Sequence, residues 1–241
     1  MTEPPLTAQG IRIEAGGVVL GNVPVLEPLA LTLTEARIGI VGRNGSGKTT
    51  LLRLIAGLVA PVSGHVSIDG IDPYRDRKGA LATIGILFQN PDNQILFPTV
   101  EEELAFGLRQ LGRDRASAEA AVAATLRAEG RAHWARLPTQ SLSQGQKQYL
   151  CLLAVLMMEP RTILLDEPFA ALDLPTRIRL ERRLAALPQR LIFISHDPGA
   201  LEQCDRVIWL DRGRIADDGP PGRVLPVFAA EMARLGAVDE C

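Results

Sequence analysis

What this chain lacks narrows it first. Only three cysteines occur in 241 residues, Cys151, Cys204 and Cys241. They are far apart, odd in number and without a CxxC pair, which argues against a disulfide framework or a zinc site and for reducing surroundings. Neither sign of charge prevails: 26 basic residues against 28 acidic ones leave a formal charge of -2. No global positive field therefore draws the chain to nucleic acid or to an anionic bilayer, and recognition must be local. The longest strongly apolar run, Leu150 to Met158, is about half of the roughly 20 residues a membrane span requires, and it reads as a buried helix. The opening MTEPPLTAQG has no basic segment followed by an apolar one, so no secretory signal is expected and the chain is expected to stay inside the cell. Internal repeats and low-complexity linkers are missing as well.

What is present is a core. With 46% hydrophobic and 22% charged residues, the chain fits one large domain, or one domain with an inserted lobe. From Ile11 to Val41 the segments IRIEA, VVL, LALTLT and RIGIV are separated by Gly, Pro and Asn, which predicts short strands. Leu51 to Leu58 has helical spacing, VSID and IGILF read as strands, and Thr99 to Trp134, with Leu104, Leu108 and Leu111 three or four apart, reads as a helical insertion. TILLD, LIFIS and RVIWL are compact apolar runs of the kind found in buried parallel strands with crossover helices.

Gly42 to Thr49 reads GRNGSGKT, directly after the strand RIGIV and directly before the helical LLRLIAGL. Glycines 42, 45 and 47 let the backbone turn tightly around Arg43, Asn44 and Ser46 and turn N–H groups toward an anion at the helix's positive end. Lys48 adds a point charge at the β- and γ-phosphates, the Thr49 hydroxyl suits Mg²⁺, and Thr50 can reach the α-phosphate. TILLDEP puts Asp166 and Glu167 just past a buried strand, where ligands sit in parallel α/β sheets. Two carboxylates there need a cation: Asp166 suits the outer coordination sphere of Mg²⁺, and Glu167 can polarise an attacking water as general base. IGILFQ ends in Gln89, an amide able to reach Mg²⁺ and that water, and LIFISHD delivers His196, an imidazole able to sense a γ-phosphate. Leu142 to Gln148, LSQGQKQ, looks like a second helix start built to meet an anion.

Together these residues resemble the nucleotide-binding subunits of ABC transporters, over nearly the whole chain. GRNGSGKT resembles the Walker A loop, ILFQ the Q-loop, LSQGQ the signature, ILLDEP the Walker B strand, ALD at Ala171 to Asp173 the D-loop, and His196 the switch histidine. The resemblance implies an α/β P-loop NTPase fold of the ABC ATPase type: a mixed-sheet core, an N-terminal antiparallel β-subdomain and an inserted α-helical subdomain. It implies a single ATP-binding domain over 1–241, with the inserted subdomain carrying the signature at about 90–160. It further implies ATP and Mg²⁺ as cofactors, and a head-to-tail homodimer or closely related heterodimer. In that dimer Ser143, Gln144 and Gly145 of one copy close over nucleotide held by the other.

FQNPDNQILFPTVEEELAFGLRQLG resembles a subset, the ATPases of energy-coupling factor importers for cobalt, nickel or vitamins such as biotin. This implies a peripheral protein on the cytoplasmic face of the membrane, partnered by an integral coupling protein and a substrate-binding membrane protein, and not by nucleic acid. Asn90-Pro91-Asp92 starts a turn. Gln94 to Phe97 either faces outward as part of a docking groove or packs inside the lobe, and the resemblance favours the first. A soluble or DNA-repair-type ABC ATPase is the alternative, though only a compact helical stretch lies between Q-loop and signature.

Three departures from the family pattern stand out. Gln144 occupies a position that is usually glycine, and its side chain is expected to point away from phosphate. Tyr149 stands where arginine is common. The turn EAGGVVLGN has no aromatic for adenine, leaving Val18 or Leu20 for apolar contact. RVLPVFAAEMARLGA is expected to form a helix that supports the dimer.

Overall fold

The computed structural model describes residues 10–170 and 172–238. Ala171, and with it the first residue of the ALD motif, and Cys241 lie outside the described residues. The chain starts with β1 (Ile11–Ala15), β2 (Val18–Leu20), β3 (Val23–Leu26), β4 (Leu29–Leu33) and β5 (Arg37–Val41), then α1 (Lys48–Ile55), β6 (Gly64–Ile68) and α2 (Arg77–Thr83). Next come β7 (Ile84–Leu87), α3 (Val100–Gln110), α4 (Arg115–Ala128), α5 (Gln144–Met157), β8 (Thr162–Asp166) and α6 (Leu174–Ala185). It closes with β9 (Arg190–Ile194), β10 (Arg206–Asp211), β11 (Arg214–Gly219) and α7 (Pro221–Val238). These elements fall into two compact units, Met1–Ala80 with Arg190–Cys241, and Leu81–Gln189. Among the described residues no helix is long and apolar enough to cross a membrane.

In the first unit β1 pairs antiparallel with both β4 and β6. Its alternation puts Ile11, Ile13 and Ala15 in the core and leaves Arg12 and Glu14 exposed, the pattern of a sheet buried on one face. β5 instead lies parallel between β9 and β10, and its Ile38, Ile40 and Val41 are fully buried. Val224, Leu225 and Phe228 of α7 are buried in a cluster with Val41, Val207 and Leu201, and Trp209 meets Phe228 edge-on at 5.6 Å between centroids. The expected C-terminal helix therefore spends this apolar face on its own unit.

Two strands escaped the sequence reading. β3 carries Pro24 and among the described residues pairs only with β2, an edge position where proline is tolerated. β11, RIADDG, has no apolar run and is held by antiparallel pairing with β10. There Arg206 makes a two-pronged contact with Asp218 at 2.6 Å on each prong.

In the second unit β7 and β8 are parallel, and every residue of β8 is buried. The expected helical insertion is α3 and α4. Their Val100, Leu104, Leu108, Val122 and Leu126 form one core with Trp134, Leu150 and Leu153. Residues 90–160 lie wholly inside this unit, which extends beyond them at both ends.

Candidate functional site

The first unit carries the phosphate loop. β5 ends in the bend from Gly42 to Gly47, and α1 starts at Lys48. Gly47, the residue before the helix, has φ 102, a left-handed value that a side chain would strain. A Cβ at Gly42 would lie 2.2 Å from the Leu210 carbonyl oxygen, so only glycine lets the loop approach β10 so closely. The loop is tied down through its backbone: Gly213 N–H donates to the Ser46 carbonyl at 2.9 Å and Ser46 N–H to that of Arg43 at 3.1 Å. Lys48, 8% exposed, donates to the Gly42 and Arg43 carbonyls at 2.7 and 3.0 Å.

Two observations test whether this loop fits a phosphate. α1 has no side-chain cap and no acidic residue in its first turn, so its positive end stays available to an anion. The Ser46 hydroxyl is buried without a hydrogen-bond partner, a cost that a ligand oxygen would remove. Arg43, Asn44 and Gly45 are exposed on the loop, Thr49 is half-buried and Thr50 is buried. Both tests favour a phosphate-bearing ligand.

His196 belongs to the same unit. β5 and β9 are parallel with Ile40 opposite Ile194, so Gly42 and His196, each two residues further on, leave neighbouring strands at one level. Ser195 N–H donates to the Ile40 carbonyl at 3.2 Å, and His196 itself is exposed. Of Val18 and Leu20, expected to offer adenine an apolar contact, only Leu20 reaches the surface. Val18 is completely buried, whereas Val19, Leu20 and Val23 are 44, 40 and 62% exposed on the β2–β3 hairpin. Pairing shifts register between Val18 and Val19, and Val19 and Leu20 both face outward while Val18 lies in the core.

The second unit repeats this arrangement with other chemistry. Leu87 of β7 lies opposite Leu165 of β8, so Gln89 and Glu167 also leave adjacent strands at one level, beyond their carboxyl ends. Asp166 is the last residue of β8 and is buried at 6% exposure. Glu167 has φ 48, a left-handed value uncommon outside glycine and characteristic of functional positions. Gln89 is exposed.

The signature starts α5. Ser143 is its N-cap and forms a capping box: its hydroxyl accepts from Gln146 N–H at 3.3 Å, and its own N–H donates to the Gln146 side chain at 2.8 Å. The hydroxyl proton remains for another acceptor. A Cβ at Gly145 would lie 2.8 Å from Thr176 Cγ2, so glycine allows α5 to start against α6, whose N-cap Asp173 accepts from Thr176 N–H at 2.9 Å. A cavity of about 600 Å³ opens here, lined by Ser143, Gly145, Asp173, Thr176 and several arginines.

The Gln144 side chain does turn aside, donating to Asp92 at 2.9 Å, and Lys147 donates to the same carboxylate at 2.6 Å. Nothing along the chain joins Lys147 to Asp92, a turn residue 55 positions earlier; the fold brings them together. Tyr149 now has an account too. Its hydroxyl donates to Glu129, Arg183 pairs with Glu129 at 2.8 Å, and Arg131 lies 4.7 Å from the Tyr149 ring and 4.2 Å from that of Trp134. A guanidinium from outside the helix stands on the tyrosine.

The segment expected to face outward does so only in part. Ile95 packs against the helical core, and the Gln94 side chain is turned inward onto Ile86 and Phe88 backbone groups at 3.1 Å each. Leu96 is 68% exposed. Phe97 is half-buried, its ring 5.1 Å from that of Phe106.

The ABC transporter family model matches residues 26–170, more than half of the chain. The Biotin transport ATP-binding protein BioM of Rhodobacter capsulatus is 52% identical over 95% of this chain and 99% of its own. Among solved structures, cbiO1 from Clostridium perfringens, part of the ABC transporter complex cbiONQ, is 28% identical with a TM-score of 0.73, over 96% of this chain and 98% of that one. The dimeric structure of MJ0796, a bacterial ABC transporter cassette, is 26% identical with a TM-score of 0.75, over 88% of this chain and 98% of that one. A phosphate loop open to an anion in one unit, acids beyond a buried strand in the other and these likenesses agree: the chain belongs to the ABC transporter family and is one of its ATPase subunits.

Proposed function

We propose that this chain powers an energy-coupling factor importer from the cytoplasmic face of the membrane. It works as a pair, with itself or a close relative, alongside an integral coupling protein and a membrane protein that binds the nutrient. The observation that carries this reading is the 52% identity, over almost the full length of both chains, to a biotin transport ATP-binding protein. Biotin is accordingly the first nutrient to test, followed by cobalt and nickel. Nothing in these comparisons supports a soluble or DNA-repair ATPase.

The chemistry follows from the two units. Lys48, the loop N–H groups and Thr50 hold the phosphates of ATP on one copy. Ser143 and the Gly145 N–H of the second copy approach the γ-phosphate from its other side, so nucleotide bridges the pair and a two-fold axis makes two equivalent sites. Glu167 takes a proton from water as the water oxygen bonds to the γ-phosphorus; the bond to the bridging oxygen breaks and ADP leaves with it. Gln89 orients that water, and His196 hydrogen-bonds the γ-phosphate. Loss of the bridging phosphate releases the grip.

Mg²⁺ fits the donors as an ion arriving with ATP. Thr49, Gln89 and Asp166 offer hard oxygens, while among the described residues no group of three or more His, Cys, Asp or Glu side chains is placed to hold a metal by itself. The bound ion would neutralise charge on the phosphates. Adenine rests on the aliphatic patch of Val19, Leu20 and Val23. The coupling protein docks at exposed Leu96 and the neighbouring groove of about 500 Å³ lined by Phe97, Ala105, Phe106 and Val122, with Glu101 and Glu102 at hand.

Glu167→Gln tests the catalytic assignment. It should bind ATP, trap dimers on gel filtration and hydrolyse about two to four orders of magnitude more slowly; wild-type turnover would reject the role. Purification from membranes should recover integral membrane proteins with the chain, and their absence would count against import.

A further inference from the structure

Resting on the importer reading, we infer that Asp92 is a positioning residue that transmits movement of the docking segment to the signature, with Gln144 and Lys147 as its receivers. Asp92 Oδ2 accepts from Gln144 Nε2 at 2.9 Å and Oδ1 from Lys147 Nζ at 2.6 Å. The two donors stand three apart in the first turns of α5, on one face of the helix. The Lys147 side chain is 14% exposed and that of Asp92 46%, so this is a half-shielded, charge-assisted contact. Burial alone does not make it stiff; the turn does. Asn90 Oδ1 accepts from Asp92 N–H at 2.9 Å, and Gln94 is fixed to the backbone of Ile86 and Phe88.

The far end of the segment is anchored as firmly. Glu103, only 6% exposed, accepts from the N–H groups of Leu96 and Phe97 at 2.8 and 2.9 Å, and Thr139 donates to the Phe97 carbonyl at 2.9 Å. Force applied at the exposed Leu96 is therefore delivered through short, rigid links to the start of α5. Electrostatics gives the link a sign. Asp92 places a carboxylate near a helix start that must receive a phosphate, and Lys147 neutralises it while the clasp is closed. Opening the clasp shifts Gln144 and uncovers that charge together, both unfavourable to nucleotide at Ser143 and Gly145. A glycine at 144 would have no side chain to join the clasp, so glutamine adds a connection here.

The test compares hydrolysis by the intact complex in lipid nanodiscs with that of the detached chain. Asp92→Ala should leave ATP affinity of a single detached copy, held by the phosphate loop, unchanged and lower its melting temperature by no more than the loss of a partly exposed ion pair does; any fall in detached turnover should be smaller than the fall in the complex. Stimulation by the membrane partners should fall by roughly fivefold or more, as expected for loss of a coupling between sites. Asp92→Glu should restore most of it. Undiminished stimulation in Asp92→Ala, or an equal fall in detached and assembled turnover, would overturn the inference. A wild-type complex without any stimulation would instead overturn the importer reading beneath it.

Discussion

Helices α1 and α5 meet the same problem, N–H groups at the helix start with no partner inside the helix, and they resolve it in opposite ways. α1 begins at a left-handed glycine without any side-chain cap. α5 begins at a serine whose capping box satisfies two donors reciprocally. The first has no side-chain cap and relies on backbone bonds at Ser46 and Gly213 to keep its shape. The second satisfies the Gln146 N–H with its own serine and offers a hydroxyl proton and the N–H groups of its first turn.

Gly47→Ala should break the comparison hardest. A non-glycine left-handed residue costs about 1–2 kcal/mol, and its Cβ would meet Leu26 Cδ2 at 2.7 Å. Titration of the detached chain with ATP should show affinity lowered by roughly tenfold or more. Ser143→Ala comes next. Loss of the cap should lower stability by about 1 kcal/mol, visible as a melting temperature a few degrees lower, and should slow hydrolysis by the pair. ATP affinity of a single copy should stay the same, and Ser143→Thr should retain the cap. Equal loss of single-copy affinity in Gly47→Ala and Ser143→Ala would erase the distinction between the two starts.

The smallest effect sharpens the contrast with one cysteine in each unit. Burial pushes the thiols of Cys151, on α5, and Cys204 up to about 12, from an ordinary value of about 8.5. Thiolate is the reactive form, so at pH 8 both should react with iodoacetamide only as fast as their surroundings open. In a Cys241→Ser background, ATP below the concentration that drives pairing should slow Cys204, in the phosphate-loop unit, more than Cys151. Mass spectrometry of the labelled peptides reads both rates.

The outcome at each position follows from how local its cause is. GRNGSGKT was legible because a left-handed turn and a close approach to β10 each demand glycine, and those demands are written in adjacent letters. Asp166 and Glu167 were legible because an apolar run ends abruptly in acids. The Val18 assignment failed at a register shift, which moves one residue of a strand inward without leaving a mark in composition. Ile95 and Gln94 turned inward because a helical core and open strand-end backbone groups were near enough to take them.

By itself, then, the sequence determined where the glycine-rich loop and the strand-end acids fall, where the strands and helices carrying them begin, and that a helical insertion is present, since backbone dihedrals and apolar periodicity act over a few residues. Only the tertiary structure decided that Gln144 and Lys147 share Asp92, 52 and 55 residues away, and that Arg131 from a loop covers Tyr149. Hydrogen bonds and ring contacts are made by neighbours in space, and folding, not spacing along the chain, selects those neighbours.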